Sequence, residues 1–376
     1  MMSGTSVDGI DAALVDFGVD GDVLHARLVG LVERPFAKDF AAHLNAVMPP
    51  AGSDVATWCR LHTHIGQEYA QAAREAIAAL GSADLVVMHG QTLFHWVEDG
   101  VTRGSLQAGS PAWVAEAVGV PVLSDLRAAD IAAGGHGAPL AVALDALWLG
   151  HRPTAALNLG GIANVAVVGA GPIVCGDTGP ANCLLDAVAR RELGTACDED
   201  GRIAASGRVA DDVLARLLSE PYLARPLPKS TGRELFHLGW LDALLPRPLP
   251  VEDLLATLTD FTACSIARAL DRLADVQRIV VSGGGTRNPH LMGRISAHAG
   301  APVVTSDALG LPSQAKEAVL FALLGWLSFH GLPGLPEGAT GARRATILGS
   351  LTPPTPLDIP RARPVARLVI DREEIP

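Results

Sequence analysis

Asp177 follows the short apolar run Ile173–Cys175 and opens Asp177-Thr178-Gly179-Pro180. An aspartate at a strand end, ahead of a proline-started helix, can orient a water or hydroxyl for reaction, or can simply cap a turn. Ser3-Gly4-Thr5-Ser6-Val7-Asp8-Gly9 precedes the apolar stretch Ile10–Phe17. Backbone N–H groups in such a turn, with the Thr5 and Ser6 hydroxyls, suit phosphate oxygens, and an ordinary hairpin turn has the same composition. Gly160-Gly161 with Asn164 carries the same two readings. Gly283-Gly284-Gly285 lies at the carboxyl end of a buried run, Arg278–Val281, where glycines let a flat or anionic ligand approach the backbone. The position after Thr286-Arg287 is Asn288, so the dinucleotide fingerprint is absent, and Lys229-Ser230-Thr231 lacks the glycine of a P-loop.

Asp8 and Asp11 can help position a hydrated magnesium ion, or can serve as capping or solvated carboxylates. The stretch Asp125-Leu126-Arg127-Ala128-Ala129-Asp130, continued by Gly134-Gly135-His136-Gly137-Ala138-Pro139, is dense in polar and turn residues between apolar segments. Long loops of this kind in compact domains are functional or disordered, and the composition is not that of a disordered linker. His89 and His95 bracket a turn and can converge, whereas His62 and His64 point to different faces of a helix and cannot share a metal. The five cysteines are scattered without a C-x-x-C pair, which argues for free buried thiols over a disulfide framework or a closed zinc site. With only three lysines against 26 arginines, Lys38, Lys229 and Lys316 gain interest as site candidates.

The elements that must position these residues alternate. Ile10–Phe17 and Val23–Leu31 read as strands, Asp54–Leu80 as a helix, and Asp84–Met88 and Pro121–Ser124 as compact buried strands. The order restarts near Thr154: Ala155–Leu159, Asn164–Val168 and Ile173–Cys175 read as strands and Ala181–Glu192 as a helix. A long helix (Glu252–Leu273), a strand (Arg278–Val281), a helix (His290–His298), a strand at Val303-Val304 and a final helix (Gln314–Phe329) follow. Such a duplicated order predicts two related α/β lobes, with the boundary between the Pro121 strand and Thr154. At 376 residues, 49% hydrophobic and 18% charged, the chain can bury a large core. A net charge of −11 disfavours nucleic-acid and anionic-membrane partners. No window has the apolar length of a membrane span and no signal peptide precedes Ser3, so a soluble cytoplasmic protein is expected.

In combination, these motifs resemble the anhydro-N-acetylmuramic acid kinase family. The resemblance runs through Met2–Asp11, His89-Gly90-Gln91-Thr92, Asp125–Arg127 with Asp130, Gly134–Leu140, and Asn158–Asn164. It continues in Asp177–Pro180, Pro228-Lys229-Ser230-Thr231-Gly232-Arg233-Glu234, Gly283–Gly285 with Asn288, and the helix bearing Glu317. The resemblance implies an α/β fold of the acetate/sugar kinase, chaperone-ATPase and actin type, with two ribonuclease-H-like lobes around a nucleotide cleft. Lobes of 1–125 and 126–340 are expected, with a segment from about 340 to 376 returning to the first. It further implies use of ATP and magnesium to open the 1,6-anhydro ring of the muramic sugar with water and to phosphorylate the released O6, in recycling of cell-wall peptidoglycan. The partners would be the small sugar and ATP, with no nucleic acid or membrane, and a homodimer is compatible with the reading.

By the same resemblance, Asp177 is the base that activates water. Gly4, Thr5, Ser6, Val7, Asp8, Gly9, Ile10 and Asp11 form the phosphate-binding turn, faced by Gly160, Gly161 and Asn164, and Gly283, Gly284 and Gly285 form the adenosine-side wall. His89, Gln91, Arg127, Asp130, Lys229 and Glu317 contact sugar or phosphate, and the metal ligands are left open. The chain departs from the family pattern at Leu126, His136 and Ala181, where phenylalanine, glutamine and glycine are usual. The family also places a strand before the Met2–Ser6 turn, whereas this chain starts at Met1-Met2, so unpaired sheet backbone and a cost of several kcal/mol are expected. The competing readings are a catalytically silent, nucleotide-dependent binding protein on the same scaffold, and a kinase for another sugar.

Overall fold

The computed structural model describes residues 1–4, 7–48, 52–232, 234–273, 276–354 and 365–370. Thr5, Ser6 and Arg233 therefore lie outside the described residues. The chain forms two compact units, Met1–Trp148 with Ala315–Pro376, and Leu149–Gln314. Residues 126–148 and 315–340 thus belong to the first unit, not to a second lobe spanning 126–340. The reason is packing: the helix at Lys316–Phe329 lies against the first unit's strands, which burial of an almost wholly apolar helix requires.

The first unit opens with β1 (Gly9–Asp20) and β2 (Val23–Pro35), an antiparallel hairpin longer than the apolar runs suggest. After α1 (Lys38–Val47) comes α2 (Val55–Leu80), whose first turn is capped by Asp54 accepting from Thr57 N at 2.7 Å. Leu61, Ile65, Tyr69, Ala72 and Ala73 repeat at helical spacing and are buried, so α2 lays one continuous face on the core. Short β3 (Val86–Val87) leads to the hairpin β4 (Gln91–Glu98) and β5 (Val101–Ala108), then α3 (Pro111–Val118) and β6 (Val122–Ser124). Helices α4 (Ala128–Ala132) and α5 (Val142–Leu149) carry the chain to the second unit.

There, β7 (Thr154–Leu159), β8 (Ile162–Val168) and β9 (Val174–Pro180) form an antiparallel meander. Asp177 and Pro180 lie inside β9, so the strand runs past both, and α6 (Asn182–Val188) starts after Ala181 without a proline in its first turn. Small helices α7 to α10 (Arg202–Ser206, Asp211–Leu217, Pro221–Ala224 and Leu238–Leu244) precede the long α11 (Val251–Leu270). β10 (Arg278–Ser282), α12 (Pro289–His298) and β11 (Val303–Thr305) complete the unit. Its sheet has the order β11-β10-β7-β8-β9. Two apolar cores flank α11: Ala263, Ile266 and Leu270 join one, and Leu254, Leu255, Leu258 and Phe261 the other. A helix serving two cores is buried on most of its faces, as α11 is, with Thr257, Thr259, Thr262 and Ser265 buried among its apolar residues.

The chain then re-enters the first unit with α13 (Lys316–Phe329), packed on β1 and β3, and ends in β12 (Ser350–Thr352) beside β6 and β13 (Arg367–Ile370) beside β2. Between β1 and β3 lie Met1–Ser3. Met2 pairs with Asp11 antiparallel through two hydrogen bonds of 2.9 Å, and Ser3 pairs with Gln91 in parallel. Met1 accepts from His89 N at 3.1 Å and donates its buried amino group to Val87 O at 2.7 Å. These three residues stand where β7 stands in the second unit. Numbered along each unit, both sheets have the order 3-2-1-4-5, antiparallel between strands 1, 2 and 3 and parallel between 1, 4 and 5. The duplication is therefore real, and the backbone expected to be unpaired at the first position is bridged on both sides by Met1–Ser3.

Candidate active site

In each unit the glycine-bearing turn joins strand 1 to strand 2. In the first it is built from Ser3 to Gly9. Ser3 Oγ donates to Gln91 Oε1 at 2.6 Å, and Gln91 Nε2 donates to Gly4 O at 3.0 Å. Gln91 is fully buried and positions the turn, where the resemblance had placed it among the contacts to sugar or phosphate. Val7 is buried with a φ of 58°, a conformation costly for a β-branched residue and held by the surrounding core. Ile10 is also core, and a Cβ on Gly9 would lie 2.5 Å from Arg34 O, so Gly9 is there for hairpin packing. Among the described residues of this turn that were expected at the cofactor, Asp8 is exposed and Gly4 and Asp11 are half-buried.

Asp11 sits among acids. Burial pushes its carboxyl up to about 6, and repulsion from Glu33 and Asp8 adds to the shift. Glu317, on α13, reaches solvent, but the protein around it raises its carboxyl and Asp11 raises it further. Arg127 draws the opposite charge: burial lowers its guanidinium to about 10, and Glu317 counters that. Arg127 donates to Gly137 O at 2.6 Å and through Nε and Nη2 to His89 Nε2 at 3.3 and 3.1 Å. His89 is thus neutral with its proton on Nδ1, bonded to Gly90 O at 2.9 Å, and burial holds its pKa near 3. The His89 ring also lies 4.5 Å from Phe321, one turn along α13 from Glu317. His89 is therefore a support for Arg127.

Asp130 is buried as well. Its two oxygens accept from Gly137 N and Thr340 Oγ1, each at 2.7 Å, so it ties down the Gly134–Gly137 loop and offers nothing to a substrate. Two exposed histidines border this corner: His136 Nδ1 is 2.9 Å from Thr102 Oγ1, which is 3.4 Å from His95 Nε2. Arg127 and His136 both lower the pKa of His95, after burial, so three potential cations share one region.

In the second unit, Asn164 and Asp177 are cross-strand partners on β8 and β9. Asp177 is half-buried and gripped from the Lys229–Thr231 segment: its N–H donates to Lys229 O at 2.8 Å, and its Oδ2 accepts from Thr231 N at 2.9 Å and Ser230 Oγ at 3.1 Å. Tyr222 Oη donates to the Asp177 carbonyl at 2.9 Å. Burial raises the carboxyl above its usual range and Glu234 pushes the same way, while the Thr231 and Ser230 donors and Lys229 pull down. A raised aspartate is a better proton acceptor than the unperturbed one.

The Lys229 ammonium points elsewhere: it donates to Tyr222 O at 3.1 Å and Leu223 O at 3.3 Å and lies 4.5 Å from the Tyr222 ring centre. Lys229 thus aligns Asp177 through its backbone, and its ammonium caps α9. The carbonyls of Gly160 and Gly161 accept the first N–H groups of α6, from Ala181, Asn182 and Cys183. Gly283 and Gly285 pack on the end of β7, where added Cβ atoms would lie 2.5 Å from Asn158 Oδ1 and 2.6 Å from Leu159 Cβ. Gly284 is exposed, with only Arg287 Nη2 near, at 3.7 Å. Gly160 and Gly284 therefore have open space beside the backbone, and Gly283 and Gly285 shape the turn.

The sequence weighed His95 only beside His89, and it placed His136, Ser230 and Thr231 within motifs without giving any of them a role. Ser230 and Thr231 stand in a motif whose P-loop reading fails, and nothing local links them to Asp177.

The family model described as anhydro-N-acetylmuramic acid kinase matches residues 1–354. The chain is 52% identical over 364 residues to a protein of that name from Streptomyces coelicolor, covering 94% of this chain and 93% of the other. It is 50% identical to one from Streptomyces avermitilis and 49% to one from Rhodococcus erythropolis, with the same coverage. Two α/β units of one strand order, each turning on glycines between its first two strands, thus belong to a kinase. More narrowly, the chain is a member of the anhydro-N-acetylmuramic acid kinase family.

Proposed function

We propose that this kinase binds ATP and 1,6-anhydro-N-acetylmuramic acid, opens the anhydro ring with water, and phosphorylates O6 to give N-acetylmuramic acid 6-phosphate. The observation that carries the reading is the Asp177 carboxylate, raised in pKa and fixed through Oδ2 by Thr231 and Ser230. Its other oxygen, Oδ1, then accepts the proton of a water attacking the anomeric carbon. As the C1–O6 bond breaks, its electron pair goes to O6, which takes the γ-phosphoryl group while ADP leaves. Arg127, backed by His89 and flanked by His95 and His136, suits the lactyl carboxylate of a muramic sugar. Glu317 would hydrogen-bond a sugar hydroxyl. Asp8 and Asp11 would hold magnesium, since their mutual repulsion, with Glu33, is what a divalent cation relieves. When bound, the metal supplies charge neutralisation to the phosphates.

Among the described residues no helix is long and apolar enough to cross a membrane, which agrees with a cytoplasmic place in peptidoglycan recycling. The test is incubation with ATP, magnesium and the anhydro sugar, followed by mass spectrometry. The expected product is heavier by water and one phosphoryl group and is lost in Asp177→Asn. A product heavier by a phosphoryl group alone, without the added water, would remove the hydrolytic role of Asp177.

A further inference from the structure

One cluster of donor atoms in the second unit has no part in that reaction. Asp260 and Cys264 are one helical turn apart on α11, and His298 faces them from the last turn of α12. His298 Nε2 lies 3.7 Å from Cys264 Sγ and 3.4 Å from Asp260 Oδ1, and the three donor atoms all lie within 4.8 Å of one another. In a tetrahedral zinc site, bonds of about 2.3 Å to sulfur and about 2.0–2.1 Å to nitrogen and oxygen place sulfur and nitrogen about 3.6 Å apart, and nitrogen and oxygen about 3.3 Å. The observed edges are close to both.

Arg294 supports this reading. Its Nε donates to Asp260 Oδ1, and its Nη2 lies 3.2 Å from His298 Nε2. A guanidinium has no acceptor, so Nε2 is the lone-pair nitrogen, the state a metal ligand needs. A cation therefore already sits against two of the three donors, and its side chain, 37% exposed, has a path to solvent.

We propose that Asp260, Cys264 and His298 form a three-ligand site for a thiophilic divalent metal of the zinc class, with Arg294 as the cation that the metal displaces. The fourth position goes to water. Coordination through thiolate sulfur releases the Cys264 proton to solvent. The site would pin α12 to α11. Because Asn288 caps α12 directly after the Gly283–Gly285 turn, the metal would stiffen that turn as well.

The full-length chain, stripped with a chelator and desalted, is titrated with Co2+ and then with Zn2+. One equivalent of Co2+ should give a thiolate-to-cobalt charge-transfer band, and Zn2+ should bleach it. Cys264→Ser should abolish the band, His298→Gln should weaken affinity at least tenfold, and Arg294→Gln should tighten it. No band in the wild type, or a band kept by C264S, overturns the site. Unchanged affinity in R294Q overturns the role of Arg294. Should C264S fail to fold, H298Q carries the same test, because His298 is partly exposed and an affinity unchanged there is equally fatal.

Discussion

Two hydrogen bonds to the Asp177 carboxyl converge on Oδ2, one from a backbone N–H and one from the exposed Ser230 hydroxyl. Ser230→Ala removes a donor to a charged group, worth about 1.5 kcal/mol, so kcat is expected to fall roughly tenfold with KM little changed. Because that donor lowers the carboxyl's pKa, its loss should also move the acid limb of the kcat/KM profile to higher pH. A merely structural serine would leave that limb in place. His89 gives a second residue-scale prediction. Its ring titrates near 6.5 in the unfolded chain and near 3 when folded. Between those values the unfolded chain binds a proton that the folded one refuses, so this stability is full above 6.5 and drains as pH falls towards 3. The slope reaches about 1.4 kcal/mol per pH unit. Asp11 works in the opposite sense, since its carboxyl is raised to about 6 and the folded state gains from acid. Comparing wild type with His89→Gln cancels that contribution. The wild type's advantage in urea midpoint should shrink steadily from pH 7 to pH 5.

At the scale of elements, α5 and α13 carry the chain out of the first unit and back into it, and they are tied by an ion pair. Lys316 Nζ lies 2.8 Å from Asp145 Oδ1, with both side chains under 10% exposed at 8% and 3%. Breaking such a pair from one side leaves an uncompensated buried charge. Lys316→Met should cost about 3–5 kcal/mol in chemical denaturation, and the double variant Lys316→Met with Asp145→Leu should recover most of it. Failure of the double variant to recover would mean that the pair also fixes helix register. Lys316 is thus an element-scale residue, whereas its neighbour Glu317 is exposed and interacts electrostatically with Asp11 and Arg127.

Among the described residues, each unit has apolar clusters of its own, in the second on both sides of α11. Units with their own cores need not unfold together. Calorimetry is therefore expected to resolve two transitions, with Lys316→Met displacing the one that belongs to the first unit. A single transition with equal calorimetric and van't Hoff enthalpies would show that the units fold as one. The common 3-2-1-4-5 strand order also explains why the two glycine turns occupy equivalent places, each joining strand 1 to strand 2.

Much of this was legible in the residues alone. The apolar spacing of α2, its Asp54 cap, the all-round apolar character of α13 and the duplicated strand order are local or periodic features, set by the geometry of a helical turn or a pleat. The motif order also picked out Asp177, Arg127, Glu317 and the two turns. What spacing could not assign was burial of polar side chains. Gln91, Asp130 and Lys229 are polar residues in motif-rich segments, yet each is hydrogen-bonded to the protein's own backbone. Ser230 reaches Asp177 across 53 residues, and Thr340 reaches Asp130 across 210. Such pairings depend on which strand edge meets which loop. Local propensity fixes the faces of an element, but only the packed chain decides which polar groups are left for a ligand once the backbone has taken its share.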